Sequence, residues 1–308
     1  DAVRRHRPPQ TSTTLLLSGG LDSRMLAGYL VAEQITESVT VLGSDVDFEV
    51  QAATAVAGQL GLRLAREQRE TSETEFLAAA RRAARWEHLA GGLSALEMTV
   101  AARRIGQVAP ACWGGYVGDV ALGGMASSFS WDAQQGVETC ERFLAGTSQW
   151  GVSAPQLMRL LGGTRGRELV EARIEALRRE WDRGDERPGQ RSLRMRLHMR
   201  IRHHIGAVVH RLSMCSWPLL PYVDRRVLDV VFNVAPHHIE RRQLQYAIVN
   251  ARFPQLAAIP QDTNSFIFEP ARRTAQRHAA PWQRLSCALR RRGREWYWRR
   301  WRGIEPRR

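Results

Sequence analysis

Short apolar segments alternate with amphipathic segments through the first part of the chain. Thr13–Leu17 and Ser38–Leu42 are apolar runs of strand length. Arg24–Gln34 and Glu49–Leu60 instead carry apolar residues at helical spacing. A third strand is expected after Gly61-Leu62. Because strands that alternate with helices favour a parallel sheet covered on both faces, the pattern predicts an α/β fold with a doubly wound parallel sheet.

The alternation continues to a second glycine-rich turn, after which helical patterns dominate. Ser72–His88 and Leu93–Ile105 predict two more helices, and Pro110–Trp113 is a short apolar run before that turn. From Glu138 onward the strand signal fades and arginine-rich helical segments follow. We therefore expect one domain over residues 1–308, with an α/β core over about 10–130 and a mainly helical part over about 131–308.

The first glycine turn lies between the first predicted strand and the first predicted helix. It consists of Ser18, Gly19, Gly20, Leu21, Asp22 and Ser23. Glycines allow a tight turn, and a helix N-terminus presents N–H groups and a positive dipole end to an anion. A carboxylate at Asp22 repels a polyphosphate unless a cation lies between them, and Mg²⁺ prefers oxygen ligands. The turn thus predicts a phosphate cradle with magnesium; a plain Ser/Gly turn is the alternative.

These six residues resemble the pyrophosphate-binding loop of the N-type ATP pyrophosphatases, a superfamily that includes asparagine synthetase, GMP synthetase and NAD synthetase. The resemblance implies an adenine nucleotide alpha hydrolase-like fold that binds ATP and cleaves it between the α- and β-phosphates. It also implies that a substrate oxygen is adenylated while the loop retains pyrophosphate. The motif differs from the Walker loop, which ends in Gly-Lys-Ser/Thr.

The second glycine turn, Trp113–Gly124, resembles the second nucleotide-site motif of the asparagine synthetase family: a glycine-framed loop ending in an aspartate and then Gly-Gly. The resemblance implies nucleotide contacts at Leu42, Gly114 and Gly115. It also implies that Asp119 is a second Mg²⁺ ligand facing Asp22. A turn aspartate that satisfies its own backbone is the alternative for Asp119.

Two later segments extend the resemblance. Trp217–Asp229 resembles the family segment in which a proline, an aromatic or aliphatic pair and an aspartate precede a helix. Gln245–Pro260 is similar to the helix and proline-bounded loop that follow. The resemblance therefore covers most of residues 10–270.

Tyr116 departs from the asparagine-forming pattern, which has a glutamate at this position. With a tyrosine at this position, the loop is similar to that of the β-lactam and carbapenam synthetases. In those enzymes the tyrosine works with a distant glutamate to deprotonate a substrate amine. The downstream region expected to supply that glutamate contains His203 and His204. His204 is a candidate base because histidine titrates near neutrality. A plain surface or helix-face position is the alternative for both histidines.

All 45 basic residues are arginine, because the chain contains no lysine. The family uses a late lysine to stabilise negative charge in the transition state, and the corresponding loop here is Gln261–Ser265. Arg272 or Arg273 is the candidate substitute, since a guanidinium can clamp a phosphate through two hydrogen bonds. Loss of such a contact costs on the order of 10²–10³ in rate, so a weak or repurposed domain is an alternative.

Composition adds expectations about partners and compartment. The formal charge is +14, and the basic residues are concentrated in Arg191–Arg211 and Arg290–Arg308. In the later segment, arginine is interleaved with aromatic residues. A docked or solvated surface is the favoured interpretation and nucleic-acid binding the alternative. Four scattered cysteines and the absence of any apolar run of roughly 18 residues favour a cytoplasmic protein with no membrane span.

The motifs together predict an ATP-dependent ligase that adenylates a substrate carboxylate, releases pyrophosphate and forms an amide bond with an amine. The substrate is expected to be a small molecule or peptide, in asparagine synthesis or in natural-product or peptide maturation. Asparagine synthetase carries an N-terminal glutaminase domain, which we expect to be absent here. Either it was removed, or a separate amine donor or precursor-binding protein acts with this chain. A tRNA- or nucleoside-modifying ATP pyrophosphatase and a non-catalytic nucleotide-binding relative remain alternatives.

Overall fold

A computed structural model describes residues 1–35, 38–43, 48–67, 72–87, 96–122, 131–132, 137–148, 153–183, 190–239 and 242–259. The strands are β1 Thr13–Leu16, β2 Ser38–Leu42, β3 Arg63–Glu67, β4 Ala111–Gly114, β5 Trp131–Asp132, β6 Val137–Glu138 and β7 Trp217–Leu219. The helices of the first half are α1 Ala2–Arg5, α2 Leu21–Ala32, α3 Phe48–Leu60, α4 Glu73–Glu87, α5 Leu96–Val108 and α6 Gly118–Ala121.

The second half is mainly helical over its described residues. Its α-helices are α7 Cys140–Ser148, α8 Ala154–Leu161, α9 Gly163–Trp181, α10 Gln190–Arg196, α11 Gly206–Ser213, α12 Arg225–Asn233, α13 Pro236–Ile239, α14 Gln243–Arg252 and α15 Pro254–Ala257. A π-helix, Leu197–Ile205, connects α10 to α11, and a 3-10 turn, Pro221–Val223, follows β7. None of the described helices is long and apolar enough to cross a membrane.

Five parallel strands form the main sheet in the order β3-β2-β1-β4-β7. The chain moves outward from β1 through β2 to β3 and then adds β4 and β7 on the other side of β1. The strand order therefore reverses between β1 and β4, where open α/β sheets leave a crevice at the carboxyl ends of the strands. Leu16 of β1 pairs with Gly114 of β4, so the two glycine turns leave the sheet side by side. The predicted doubly wound α/β fold is confirmed.

Alternate residues of the central strands belong to two separate apolar cores. Leu15 and Trp113 are fully buried in the larger core, with apolar residues from α2, α3, α14 and α15. Leu16 and Cys112 belong instead to a smaller core formed with α5 and α11. Because successive side chains of a strand point to opposite faces, this alternation shows that helices cover the sheet on both sides.

Several elements differ from the sequence prediction, and β7 and α2 are the two that change the sheet and the first glycine turn. β7 joins the sheet from the part of the chain where the strand signal fades, because an edge strand of three residues with Pro218 in its middle leaves little pattern. Helix α2 begins at Leu21, three residues earlier than predicted. The second half of the first glycine turn is therefore the first turn of a helix, which fixes the position of Asp22.

Candidate active site

Two serine hydroxyl groups shape the first glycine turn. The Ser23 hydroxyl donates to the carbonyl oxygen of Ser18 at 3.1 Å and accepts from the Ser18 backbone N–H at 3.0 Å. The Ser18 hydroxyl in turn accepts from the backbone N–H of Gly20 at 3.2 Å, and the two hydroxyl oxygens lie 3.0 Å apart. Both hydroxyl groups therefore make their hydrogen bonds within the turn and stabilise its closed shape. The first N–H groups of α2, which have no intrahelical partner, remain the turn's main donors for an anion.

Asp22 lies in the first turn of α2 and is surrounded by residues from distant parts of the chain. Its Oδ1 accepts a short hydrogen bond from Nε2 of Gln245 and lies 3.7 Å from Nη1 of Arg242. Its carbonyl oxygen accepts a 2.8 Å hydrogen bond from the hydroxyl of Tyr222. Burial raises the pKa of Asp22 to about 6; Arg242 lowers that pKa, the charge of Asp119 raises it, and the Gln245 hydrogen bond lowers it. Asp22 is thus a desolvated carboxylate next to a second one.

The second glycine turn packs directly against the first. A Cβ atom added at Gly115 would lie 2.9 Å from the backbone nitrogen of Ser23, and one added at Gly118 would lie 2.8 Å from Oδ1 of Asp22. Val117, between these glycines, has a φ of 75°, in the left-handed region that branched residues rarely adopt. The close approach of the turns explains why both glycines are needed, and Val117 shows that the backbone here is strained.

The predicted metal ligands are brought together. Asp119 lies in the first turn of α6, half-buried, and its charge raises the pKa of Asp22. No group of three or more His, Cys, Asp or Glu residues within the described ranges could hold a metal ion. Two carboxylates on neighbouring glycine turns are ligands that suit a magnesium ion whose other ligands are phosphate oxygens and water. The donor set therefore fits Mg²⁺ accompanied by a polyphosphate.

Tyr116 is half-buried and packs against the apolar cores on both sides of the sheet. Burial raises the pKa of its phenol well above the usual value, and Cys112 and Glu49 raise that pKa further. The phenol is therefore protonated at neutral pH, which favours a hydrogen-bonding role over a basic one. Glu49, in the first turn of α3, was missed by the sequence analysis. Its signal was its place just after the second strand, at the same edge of the sheet.

The other predicted catalytic residues are His204 and Arg272. His203 and His204 are exposed on the π-helix, as the helix-face alternative expects. Arg272 and Arg273 lie outside the described residues, together with the segments 260–308 and 123–130. Leu42 ends β2 at the carboxyl edge of the sheet and packs against the same apolar cluster as Tyr116, and its contact with a nucleotide stays a prediction.

Arg24 is a second residue that the sequence analysis missed. Its side chain is fully buried, and Nη1 donates to the carbonyl oxygens of Leu256 at 2.9 Å and Ile259 at 2.5 Å. Nη2 donates to the carbonyl oxygen of Gly19 at 3.3 Å. Burial lowers the pKa of Arg24 to about 10, so the guanidinium stays charged. Arg24 thereby joins the first glycine turn to the end of α15.

Asp224, the aspartate in the Trp217–Asp229 segment that resembles the family, has a structural role. Asp224 accepts a hydrogen bond from the backbone N–H of Arg226 and so caps α12. Its carboxylate also accepts two hydrogen bonds from Arg5, at 2.7 and 3.2 Å, and lies 3.1 Å from Nε2 of His6. These contacts, with the Arg5 hydrogen bond as the largest cause, lower the pKa of Asp224 to about 2. Asp224 attaches the N-terminal helix to the sheet edge.

Two glycine turns and a carboxylate pair at the reversal point of a parallel sheet are features of α/β proteins that bind nucleotide phosphate groups. The family model described as asparagine synthase matches residues 1–245, which include both turns, Tyr222 and Arg242. The chain therefore belongs to the asparagine synthase family and is an ATP-dependent ligase of the synthetase type. No curated protein matches the chain.

Proposed function

We propose that this chain activates a substrate carboxylate with ATP and joins it to an amine, releasing pyrophosphate and then AMP. The observation that carries the proposal is the pairing of Asp22 and Asp119 between two glycine turns that are in contact. Membership of the asparagine synthase family supports the ATP-dependent part. The carboxylate and the amine are proposed to belong to a small molecule or a peptide.

In the first step, a carboxylate oxygen of the substrate attacks the α-phosphorus of ATP, and the bond to the β-phosphate bridging oxygen breaks. The products are an acyl-adenylate and pyrophosphate, which the backbone N–H groups at the start of α2 would retain. Asp22 and Asp119 would hold Mg²⁺, which neutralises phosphate charge when bound. The arrangement would favour this step, because the two turns would hold the phosphates in place before reaction.

In the second step, the amine nitrogen attacks the acyl carbon, the bond to AMP breaks, and the amine loses a proton. We propose that Tyr116 orients the amine through its hydroxyl, because a protonated phenol can donate one hydrogen bond and accept another. Glu49 is the carboxylate whose charge acts on Tyr116. His204 and Arg272 stay predictions for the proton acceptor and the late cation.

The first test is exchange of labelled pyrophosphate into ATP, with a panel of carboxylic acids that starts from L-aspartate and includes acidic peptides. We expect exchange that depends on one class of carboxylate and is lost in Asp22→Asn. Tyr116→Phe should retain exchange and slow amide formation, about 10²-fold for a lost orienting contact. Equal loss of both activities would remove Tyr116 from the amine step.

Two other results would redirect the proposal. Nucleotide binding without exchange for any carboxylate would favour the non-catalytic relative. Steeply salt-dependent tRNA binding, with exchange that needs tRNA, would favour the RNA-modifying alternative. Asp224→Asn is a suitable control in both assays, since its contacts are to the N-terminal helix and to the cap of α12.

A further inference from the structure

Gln245 brings a buried amide group to the predicted metal site from a distant part of the chain. It lies on the first turn of α14 and is fully buried. Its Nε2 donates a short hydrogen bond to Oδ1 of Asp22, which is 223 residues away along the chain. The same oxygen of Asp22 lies 3.7 Å from Nη1 of Arg242. Two side chains from the start of α14 therefore contact one oxygen of this carboxylate.

The amide oxygen of Gln245 and the second oxygen of the Asp22 carboxylate lack such contacts. No residue that the structure describes donates a hydrogen bond to Oδ2 of Asp22. The Oε1 of Gln245 is buried and has no hydrogen-bond partner in the described part of the chain. A buried acceptor without a partner carries the full penalty of its desolvation, and native proteins leave few such atoms unsatisfied. The amide oxygen therefore indicates a partner that the described residues do not supply.

A cation is the partner that these surroundings favour. Burial raises the pKa of Asp22, and the charge of Asp119 also raises it, so the two carboxylates lie close enough to repel each other. A water molecule would satisfy Oε1 of Gln245 alone, whereas a cation would also reduce the repulsion between the carboxylates. Carboxylate, carbonyl, phosphate and water oxygens are the ligands that suit Mg²⁺.

We propose that the amide oxygen of Gln245 is a third protein ligand of the magnesium ion, in addition to Asp22 and Asp119. The inference rests on the proposed function, because it adds a ligand to the metal site that this function uses. In the chain without metal, the amide nitrogen restrains Oδ1 of Asp22 and leaves Oδ2 available. With the ion bound, Oε1 is no longer an unsatisfied acceptor, so its desolvation penalty favours metal binding.

The test is calorimetry of ATP binding with Mg²⁺ and, separately, with EDTA, which gives the factor by which the metal strengthens binding. The proteins are the wild-type chain, Gln245→Leu, Gln245→Glu and Gln243→Leu. Leucine has no ligand atom, whereas glutamate keeps an oxygen at this position and loses the N–H donor. Gln243 is the exposed first residue of the same helix, so its variant makes the same substitution away from the site.

We expect Mg²⁺ to strengthen ATP binding by the wild-type chain and Gln245→Leu to reduce that factor about 10- to 100-fold, as for other residues that support a metal site. ATP binding in EDTA should be the same in Gln245→Leu as in wild type. Gln245→Glu and Gln243→Leu should keep at least the wild-type factor. With Mn²⁺ in place of Mg²⁺, the EPR spectrum of the bound metal should differ between wild type and Gln245→Leu, because one ligand is lost.

Two results would overturn the inference alone. One is a wild-type factor in Gln245→Leu. The other is an equal reduction in Gln245→Leu and Gln245→Glu, because Gln245 would then act only as a hydrogen-bond donor to Asp22. If Gln245→Leu does not fold, which thermal unfolding will show, Gln245→Glu decides: a retained factor supports the ligand role and a lost factor overturns it. A wild-type chain that binds no ATP, or binds it equally in EDTA, would overturn the proposed metal–nucleotide site and this inference together.

Discussion

The two glycine turns lie side by side at the same sheet edge, yet they keep their shape by different means. The first turn is closed by its own serine hydroxyl groups, and its aspartate is held by residues from α14. The second turn has its shape imposed from outside, because Gly115 and Gly118 lie against the start of α2. The first turn is thus shaped largely by its own hydrogen bonds, whereas the second is shaped by its packing against the first.

Because of this difference, we expect a single added methyl group to reduce stability and Mg·ATP binding more in the second turn than in the first. Gly118→Ala and Gly115→Ala would place Cβ within 2.9 Å of Asp22 or of the Ser23 backbone, so the turns must separate. Overpacking of this kind costs about 1–3 kcal/mol of unfolding free energy, and we expect Mg·ATP binding to be lost. In Gly20→Ala the nearest contact is the Ser18 hydroxyl at 3.2 Å, so a shift of a few tenths of an ångström accommodates the methyl group and both quantities should stay near wild type.

Urea unfolding and calorimetry of the three glycine variants measure this comparison. Equal effects of Gly20→Ala and Gly118→Ala on nucleotide binding would show that the second turn is not shaped by the first. Gly58→Ala, on α3, where an added Cβ would have no atom within 4 Å, is the matched control for the loss of a glycine.

We expect the charged form of Asp22 to lower the stability of the folded chain, because its carboxylate is buried. Its pKa is raised from 3.8 to about 6 in the folded state, so the unfolded chain loses this proton first. The contribution of Asp22 to the free energy of unfolding should therefore fall as pH rises from about 4 to 6 and stay level above that. Asp22→Asn should be more stable than wild type at pH 8, on the order of 1–2 kcal/mol, because the loss of the Arg242 pair offsets part of the gain.

Thermal unfolding of Asp22→Asn and wild type at pH 5 and pH 8 checks this expectation. Asp229→Asn, whose carboxylate is 64% exposed, is the control for removal of one negative charge. A variant at Asp22 that is less stable than wild type at pH 8 would mean that its contacts with α14 outweigh its burial.

Ser23→Ala tests whether the first turn keeps its shape through its own serine hydrogen bonds. The hydroxyl of Ser23 is buried and makes two hydrogen bonds with the Ser18 backbone, each typically worth about 1 kcal/mol. We expect a loss of about 1–2 kcal/mol in unfolding free energy and weaker Mg·ATP binding. Ser213→Ala, whose exposed hydroxyl bonds only the adjacent helix backbone, should change neither quantity.

Asp224, also near the carboxyl edge of the sheet, should show the opposite dependence on pH. Its pKa is lowered from 3.8 to about 2, so its contribution is present above pH 4 and lost as pH falls through 2. Asp224→Asn should lose about 1 kcal/mol at pH 7, a figure reduced for solvent screening, and approach wild type at low pH. Nucleotide binding should be unchanged. Acid titration of unfolding free energy for both proteins measures the effect, and an unchanged pH 7 stability would contradict it.

The parallel sheet and both glycine turns could be predicted because they are local features. Alternating apolar runs mark β1, β2 and β4, and the six residues from Ser18 to Ser23 are contiguous. The contacts of Asp22 could not be predicted, since Arg242 and Gln245 approach it only through the folded chain. An arginine on a helical pattern gives no sign of whether it is solvated, so Arg24 and Arg242 could not be distinguished from the exposed arginines.

Helix α14 is a second example of contacts that the sequence could not predict. The family resemblance predicted a helix from Gln245, but the contacts with Asp22 come from polar residues at the start of α14. Those residues act through the left-handed conformation of Arg242, which the sequence does not mark with a glycine. Tertiary packing selected that conformation and with it the groups around the carboxylate pair.

Calorimetric titration of Mg·ATP into the wild-type chain, Asp22→Asn and Asp119→Asn tests the central claim most directly. The account predicts binding to the wild type that depends on Mg²⁺ and is lost in both variants, while thermal unfolding shows that both remain folded. Binding that survives in either variant, or that does not depend on Mg²⁺, would contradict a nucleotide site built from the two glycine turns and their aspartates.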